Sequence, residues 1–221
     1  MEKCSITSYT TFLLSCLKGV DFTEKRVCDF GCGTGVIGLN IRTMFNCEVI
    51  GLDIVPEAIQ LSRDNALRNR LGDCQFHTVK TFRSNPTYQT PAFKFDYIIS
   101  NPASIPSPPS VEQNPFINGG IDGDLMIVDL IQLANSHLAQ NGQVIFLHTS
   151  LAPLHKTLRY LDESGYEVCI EELKQLEFRS QYKPCEQHLE CFREKKMNFF
   201  FENRGKRYEL VYFIRLKKVP I

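Results

Sequence analysis

The densest run of residues suited to chemistry is Val27-Cys28-Asp29-Phe30-Gly31-Cys32-Gly33-Thr34-Gly35. Its alternating glycines permit backbone conformations and a closeness of ligand approach that a side chain would block. A turn of this kind between a strand and a helix is a nucleotide-binding site. The residues after Gly35 narrow the nucleotide. A dinucleotide fingerprint wants Gly or Ala where Val36 stands, and a phosphate-cradling loop wants Lys and Ser or Thr where Val36-Ile37 stand. A second group, Cys185, His188 and Cys191, is close enough in sequence to suggest metal ligands. It lacks a fourth partner at finger-like spacing, and we expect no metal site there.

The elements that must position the glycine turn emerge from periodicity. Short apolar or β-branched runs alternate with helical stripes, the pattern of a mostly parallel sheet covered by helices. Strands are expected at Arg26–Phe30, Glu48–Leu52 ending at Asp53, residues 75–80, Phe95–Ser100, residues 143–147, 166–172 and 208–216, with 197–201 ambiguous. Helices are expected over the stripe Val36 to Met44, from Pro56 to Leu67, and from Ile127 to Leu138, ending near Asn141-Gly142. A further helix is expected to be capped by Ser150 and to leave at Gly165. The last two strands lack a helical crossover and should pair antiparallel. Residues 101–123 form a long proline-bearing loop of the kind that is usually functional.

The segment from Asp29 to Gly35 resembles motif I of the class I S-adenosylmethionine-dependent methyltransferases, an acid-x-Gly-x-Gly-x-Gly pattern. The resemblance implies an α/β, Rossmann-like class I methyltransferase sandwich, with a seven-stranded mostly parallel sheet and an antiparallel edge hairpin. It implies that Gly31, Gly33 and Gly35 approach the methionine part of the cofactor and that Asp29 helps to position its ammonium group. Asp53, at the end of the second strand, can accept both ribose hydroxyls. Ile54 would flank the adenine, with Thr81 or Phe82 as further candidates beside it.

Asn101-Pro102-Ala103-Ser104, closing the fourth strand, resembles the Asn-Pro-Pro-aromatic motif of methyltransferases that modify planar nitrogen, whether a base amino group or a glutamine amide. By that resemblance Asn101 and Pro102 are the catalytic pair. The Asn101 side-chain oxygen and the Pro102 carbonyl would grip the N–H groups of the target nitrogen and hold it in line with the methyl. Ala103 and Ser104 depart from the motif, and Ser104 stands where an aromatic ring stacks on the target plane. Two further runs resemble the release-factor glutamine methyltransferases: Gly119-Gly120-Ile121-Asp122-Gly123-Asp124-Leu125, and Tyr9-Thr10-Thr11-Phe12-Leu13-Leu14, through which Thr11 would join the cofactor-binding set.

Composition bounds the remainder. The 221 residues balance 25 basic against 25 acidic side chains, which excludes a histone-like or polybasic protein. The charge is segregated, with 11 basic and 5 acidic residues in 178–221 and an excess of six acids before it. In the C-terminal stretch basic residues interleave with aromatics, a pattern that suits either an RNA surface or a solvated sheet-edge hairpin. Nine cysteines, an odd number set mostly in apolar runs, read as reduced thiols of a cytoplasmic chain. No run reaches the ~20 apolar residues of a membrane span. We expect a single domain over 1–221: an N-terminal segment (1–25), a cofactor-binding and catalytic core (26–177), an insertion (178–196) and a C-terminal edge (197–221). The expected function is methyl transfer from S-adenosylmethionine to a nitrogen of a protein or RNA acceptor. The alternatives are a small-molecule methyltransferase and a non-catalytic cofactor-binding partner protein.

Overall fold

The run Arg26–Phe30 sets Val27, Cys28 and Phe30 around a single acid, and it forms strand β1 with Val27, Cys28 and Asp29 fully buried. Such burial on both faces marks a central parallel strand. The computed structural model describes residues 6–79, 94–110 and 114–219, and Thr81 and Phe82 therefore lie outside the described residues. The chain divides into two compact units, one of residues 1–101 and 132–146, the other of 102–131 and 147–221.

In the first unit, helix α1 (Ser8–Leu17) precedes β1, and α2 (Val36–Met44) leads to β2 (Glu48–Asp53). Helix α3 (Pro56–Arg68), opened by Pro56 in its first turn, leads to β3 (Gln75–Thr78). Strand β4 (Phe95–Ser100) comes next, then α4 (Leu125–His137), which enters from the second unit, and β5 (Leu138–Thr149), which runs on into it. These strands pair in the order β3-β2-β1-β4-β5, all parallel. Register places Phe30 beside Leu52 on one side and Ser100 on the other, so the carboxyl ends of the three central strands come together.

The second unit holds α5 (Leu154–Glu163), β6 (Tyr166–Glu177), a 3-10 segment (Ser180–Cys185), α6 (Glu186–Glu194), β7 (Phe201–Asn203) and β8 (Lys206–Lys218). Strand β8 pairs antiparallel with β6 and with β7. The fold is thus the Rossmann-like α/β class, mostly parallel with an antiparallel edge. Seven strands form the continuous path of the sheet, as expected, and among the described residues the short β7 pairs beside β8; of the ambiguous run 197–201 only Phe201 is strand.

Two local expectations are corrected. Helix α4 ends at His137, and β5 passes straight through Asn141-Gly142. The pairing with β4 shifts register there, and a Cβ on Gly142 would sit 3.0 Å from the Phe95 carbonyl, so this glycine serves a bulge rather than a helix exit. Ser150 does not cap α5, which begins at Leu154 with Pro153 at its N-cap. Its hydroxyl donates to the Phe199 carbonyl at 2.6 Å and accepts from Leu210 N–H at 2.9 Å. Residues 178–196, expected as an insertion, hold the 3-10 segment and α6, with Tyr182, Cys185 and Leu189 buried in one cluster with Ile105, Ile117, Leu151 and Phe200. That cluster packs this segment onto the long loop after β4.

Candidate functional site

Gly31, Gly33 and Gly35 adopt φ of 70°, 54° and 76°, the left-handed region open to glycine at little steric cost. At Gly35 space adds a second constraint, because a Cβ would lie 2.9 Å from the Phe76 ring. Gly35 is also the N-cap of α2, so the turn passes directly into the helix. The N–H groups of Gly31 and Cys32 both donate to the Leu52 carbonyl, at 2.8 and 3.0 Å, which lashes the turn to the end of β2.

Helix α3 secures the other side. Ser62, fully buried, donates to the Gly33 carbonyl at 2.7 Å and to Ala58 at 3.0 Å, and Asn65 Nδ2 donates to the Thr34 carbonyl at 3.0 Å. Gly38, one turn into α2, brings its N–H to 2.9 Å from Asp29 Oδ2. A Cβ at Gly38 would meet Val49 Cγ1 at 2.7 Å, so glycine is what allows α2 to lie this close to the sheet. Ser62, Asn65 and Gly38 were not singled out in the sequence. Each acts across 9 to 31 residues of chain, and no short motif announces such a pairing.

Asp29 is fully buried; Oδ2 accepts from Gly38, and Oδ1 has no hydrogen-bond partner among the described residues. Burial pushes its carboxyl up to about 7 against the pull of the Gly38 N–H, and the neighbouring Asp53 adds to the rise. Asp53, 8% exposed, accepts from Gly33 N–H at 2.7 Å through Oδ2 and from Val55 N–H at 2.9 Å through Oδ1. Burial raises this carboxyl too, and the N–H groups of Val55, Gly33 and Ile54 oppose the rise. A carboxylate has about four lone-pair positions, so Asp53 retains acceptor capacity for a ligand. Ile54, next along the chain, exposes 42% of its surface.

Asn101 succeeds β4, whose last residue Ser100 donates to the Phe30 carbonyl at 2.8 Å and ties the ends of β4 and β1. The Asn101 Nδ2 donates to Thr10 Oγ1 at 3.4 Å. Thr10, 6% exposed on α1, is the threonine that the structure brings to Asn101; Thr11 is exposed, with its hydroxyl donating to the Thr7 carbonyl at 3.1 Å. The first unit therefore brings Asp29, the three glycines, Asp53, Ile54 and Asn101 to the carboxyl ends of its central strands. Pro102 opens the second unit and is buried.

In the second unit Ala103 and Ser104 are also buried, at 8% and 3% exposure. A Cβ on Gly119 would fall 2.8 Å from Ser104 Cα, and one on Gly123 2.6 Å from the Ser104 carbonyl, so the glycine-aspartate-glycine segment closes over position 104. Lys156 pairs with both Asp122 and Asp124, and the His188 ring contacts the Ile121 carbonyl at 2.9 Å. His188 and Cys185 thus have structural contacts, Cys185 lying 3.4 Å from Ser107 Oγ. The C-terminal cations are partly neutralised: Arg193 pairs with Glu190, Lys206 with Glu177, Arg207 with Glu190 and Glu202, and Arg215 with Glu171. Of the interleaved aromatics, Tyr182, Phe192, Phe200 and Phe213 are buried, whereas Phe199 is 52% exposed. Among the described residues no helix is long and apolar enough to cross a membrane.

Among known proteins, the methyltransferase domain family matches residues 21–190. The ribosomal protein L11 methyltransferase of Aeromonas hydrophila is 48% identical over 64 residues, covering 29% of this chain and 22% of that protein. The L11 enzyme of Salmonella newport is 38% identical over 92 residues, or 42% and 29%. The matched stretches thus span less than a third of these curated relatives. Among solved structures, the YcgJ protein from Bacillus subtilis aligns with a TM-score of 0.66 at 14% identity, over 96% of this chain and 100% of that one.

Proposed function

We propose, from the premise that this chain belongs to the methyltransferase domain family and is an S-adenosylmethionine-dependent methyltransferase, that it methylates a side-chain amide nitrogen of a protein. The observation that carries the reading is Asn101 at the end of β4, with its amide nitrogen turned to Thr10 and its oxygen left as an acceptor.

The residues present fit the cofactor. The buried Asp29 Oδ1 lacks a partner among the described residues and suits the ammonium group, and Asp53 suits the ribose hydroxyls. The turn at Gly31, Gly33 and Gly35 takes the methionine part, and the exposed Ile54 flanks the adenine. When bound, S-adenosylmethionine supplies a methyl group already activated by its sulfonium. The protein's task is then to hold the acceptor nitrogen in line and to exclude other geometries. Asn101 Oδ1 accepts an N–H of the target, and the Pro102 carbonyl accepts a second. Transfer would exchange the sulfonium's S–CH3 bond for a new N–CH3 bond, leaving a neutral thioether, and the amide nitrogen gives up one of its two protons to solvent.

A protein amide is favoured over a base because Ala103 and Ser104 offer no aromatic face, where stacking would contribute about 1–3 kcal/mol per base. The pairing of Arg193, Lys206, Arg207 and Arg215 with glutamates points the same way. We treat residues 1–221 as one working domain, with 178–196 as an accessory element packed on the acceptor loop, acting in the cytoplasm. The relatives named as L11 methyltransferases suggest ribosomal protein as the first acceptor to try.

The test is tritiated methyl incorporation into ribosomal protein and into RNA, each with wild type and Asn101→Ala. Label in protein that is lost with Asn101→Ala supports the reading. Label in RNA moves the acceptor to a base nitrogen, and label that survives Asn101→Ala overturns the role of Asn101.

A further inference from the structure

We infer that Thr10 is a positioning residue for Asn101: its hydroxyl fixes which way the amide faces and so keeps the Asn101 oxygen pointed at the acceptor nitrogen. The inference rests on the proposed role of Asn101 in holding that nitrogen.

An asparagine side chain has two nearly isosteric ends, an acceptor oxygen and a donor NH2, and a half-turn about its last bond exchanges them. With the oxygen toward the target, an acceptor N–H is held. With the NH2 toward it, two hydrogens face the hydrogens of the acceptor and repel them. Something must break this symmetry. The backbone at the end of β4 cannot, because it fixes the position of the side chain but not the rotation of its amide plane.

The structure places one such device at the site. Thr10 Oγ1 lies 3.4 Å from Asn101 Nδ2, across 91 residues of chain, and Thr10 is 6% exposed, so water competes little for the contact. A hydroxyl can donate as well as accept, and on its own it could satisfy either end of the amide. The direction is set one turn back. Thr10 Oγ1 is also 3.1 Å from Thr7 Oγ1, the N-cap oxygen of α1, which already accepts from the Thr10 N–H at 3.2 Å. An N-cap hydroxyl oxygen faces the positive end of its helix and serves as an acceptor. When the Thr10 proton is given to Thr7, what Thr10 offers Asn101 is a lone pair, and only the NH2 end of the amide can meet it. The first turn of α1 thereby sets the polarity of a side chain at the far end of β4.

The experiment uses the full chain and three variants, Thr10→Val, Thr10→Ser and Asn101→Ala. The first readout is the side-chain NH2 pair of Asn101 in a 15N-correlated spectrum, assigned by its loss in Asn101→Ala. Thr10→Ser keeps the wild-type positions and solvent-exchange rate; Thr10→Val shifts the pair and speeds exchange. The second readout is initial rates of tritiated methyl transfer to ribosomal protein across a dilution series. Thr10→Val lowers kcat about five- to tenfold, the equivalent of one hydrogen bond, with KM and calorimetric S-adenosylmethionine affinity within twofold of wild type. Thr10→Ser restores the rate.

If Thr10→Val leaves the NH2 pair and kcat unchanged while Asn101→Ala abolishes transfer, the inference is overturned and the reading of Asn101 stands. If Asn101→Ala retains transfer, or wild type transfers nothing, both fall together. If Thr10→Val and Thr10→Ser lose cofactor affinity equally, Thr10 is a structural residue of α1 and the inference fails.

Discussion

Replacing Asp29 by Asn keeps the shape of the side chain and removes its charge. Burial, with Asp53 adding and the Gly38 N–H opposing, holds this carboxyl at about 7, against an ordinary value of 3.8. That rise corresponds to about 4 kcal/mol between the two protonation states. The folded protein binds the Asp29 proton more tightly than the unfolded chain does. The resulting stabilisation is fully present below about pH 4 and is lost as pH rises through 7. Between pH 5 and pH 8 the loss is about 2.5 kcal/mol. Urea unfolding of the cofactor-free protein should show this loss in wild type and not in Asp29→Asn, the difference between the two isolating the one group. The same proton couples to the ligand. A cationic ammonium beside Oδ1 favours the carboxylate, so binding releases a proton and tightens about fivefold from pH 6 to pH 7. Calorimetry in two buffers of different ionisation enthalpy measures both effects. A Kd flat over that interval, or an Asp29→Asn protein that binds as wild type does, would refute the assignment of the unpartnered oxygen to the ammonium group.

Three further outcomes are expected. Asp53→Ala strips the acceptor from the Gly33 and Val55 N–H groups; it should lower cofactor affinity at least tenfold in calorimetry and cost about 1–3 kcal/mol of stability. Gly38→Ala forces a methyl group to 2.7 Å from Val49 Cγ1; the overpacking should cost about 1–3 kcal/mol in urea melts and weaken cofactor binding as α2 shifts. Tyr182→Ala empties the centre of the cluster between residues 178–196 and the loop after β4; a loss of about 3–5 kcal/mol is expected, with cofactor affinity little changed in calorimetry.

What could be read from sequence was what is local. Strands β1, β2 and β4 and helix α2 lie where periodicity put them, because each strand is a short run of mostly buried residues and α2 buries Ile37, Leu39 and Ile41. The glycine turn was legible because three left-handed positions in five residues favour glycine strongly, which leaves an alternating glycine pattern in the sequence. The misreadings arose where a residue answers to a distant partner. Ser150 has the chemistry of a cap, but Phe199 and Leu210 claim its hydroxyl from 49 and 60 residues away. Asn141-Gly142 has the look of a helix exit, and only the approach of the Phe95 carbonyl reveals a strand bulge. Thr10 and Thr11 are adjacent and alike, and only the placement of α1 against β4 brings Thr10 to Asn101 while the Thr11 hydroxyl stays with the Thr7 carbonyl. The helices within residues 178–196 were not legible, because the apolar residues that bury them, Ile105, Ile117, Leu151 and Phe200, are scattered along the second unit.

The fastening of the glycine turn by Ser62 and Asn65 bears on how this site could be altered or moved. A helix advances 100° per residue, so deleting one residue between Val55 and Leu61 would swing both side chains away from the Gly33 and Thr34 carbonyls while leaving the turn's own sequence intact. The turn is therefore not a portable peptide. Grafted alone onto another sheet, residues 29–38 would bring neither the donors that hold their carbonyls nor the Leu52 carbonyl that receives the N–H groups of Gly31 and Cys32. The smallest piece that could be transplanted with its geometry runs from the start of β1 through Phe76, whose ring crowds Gly35.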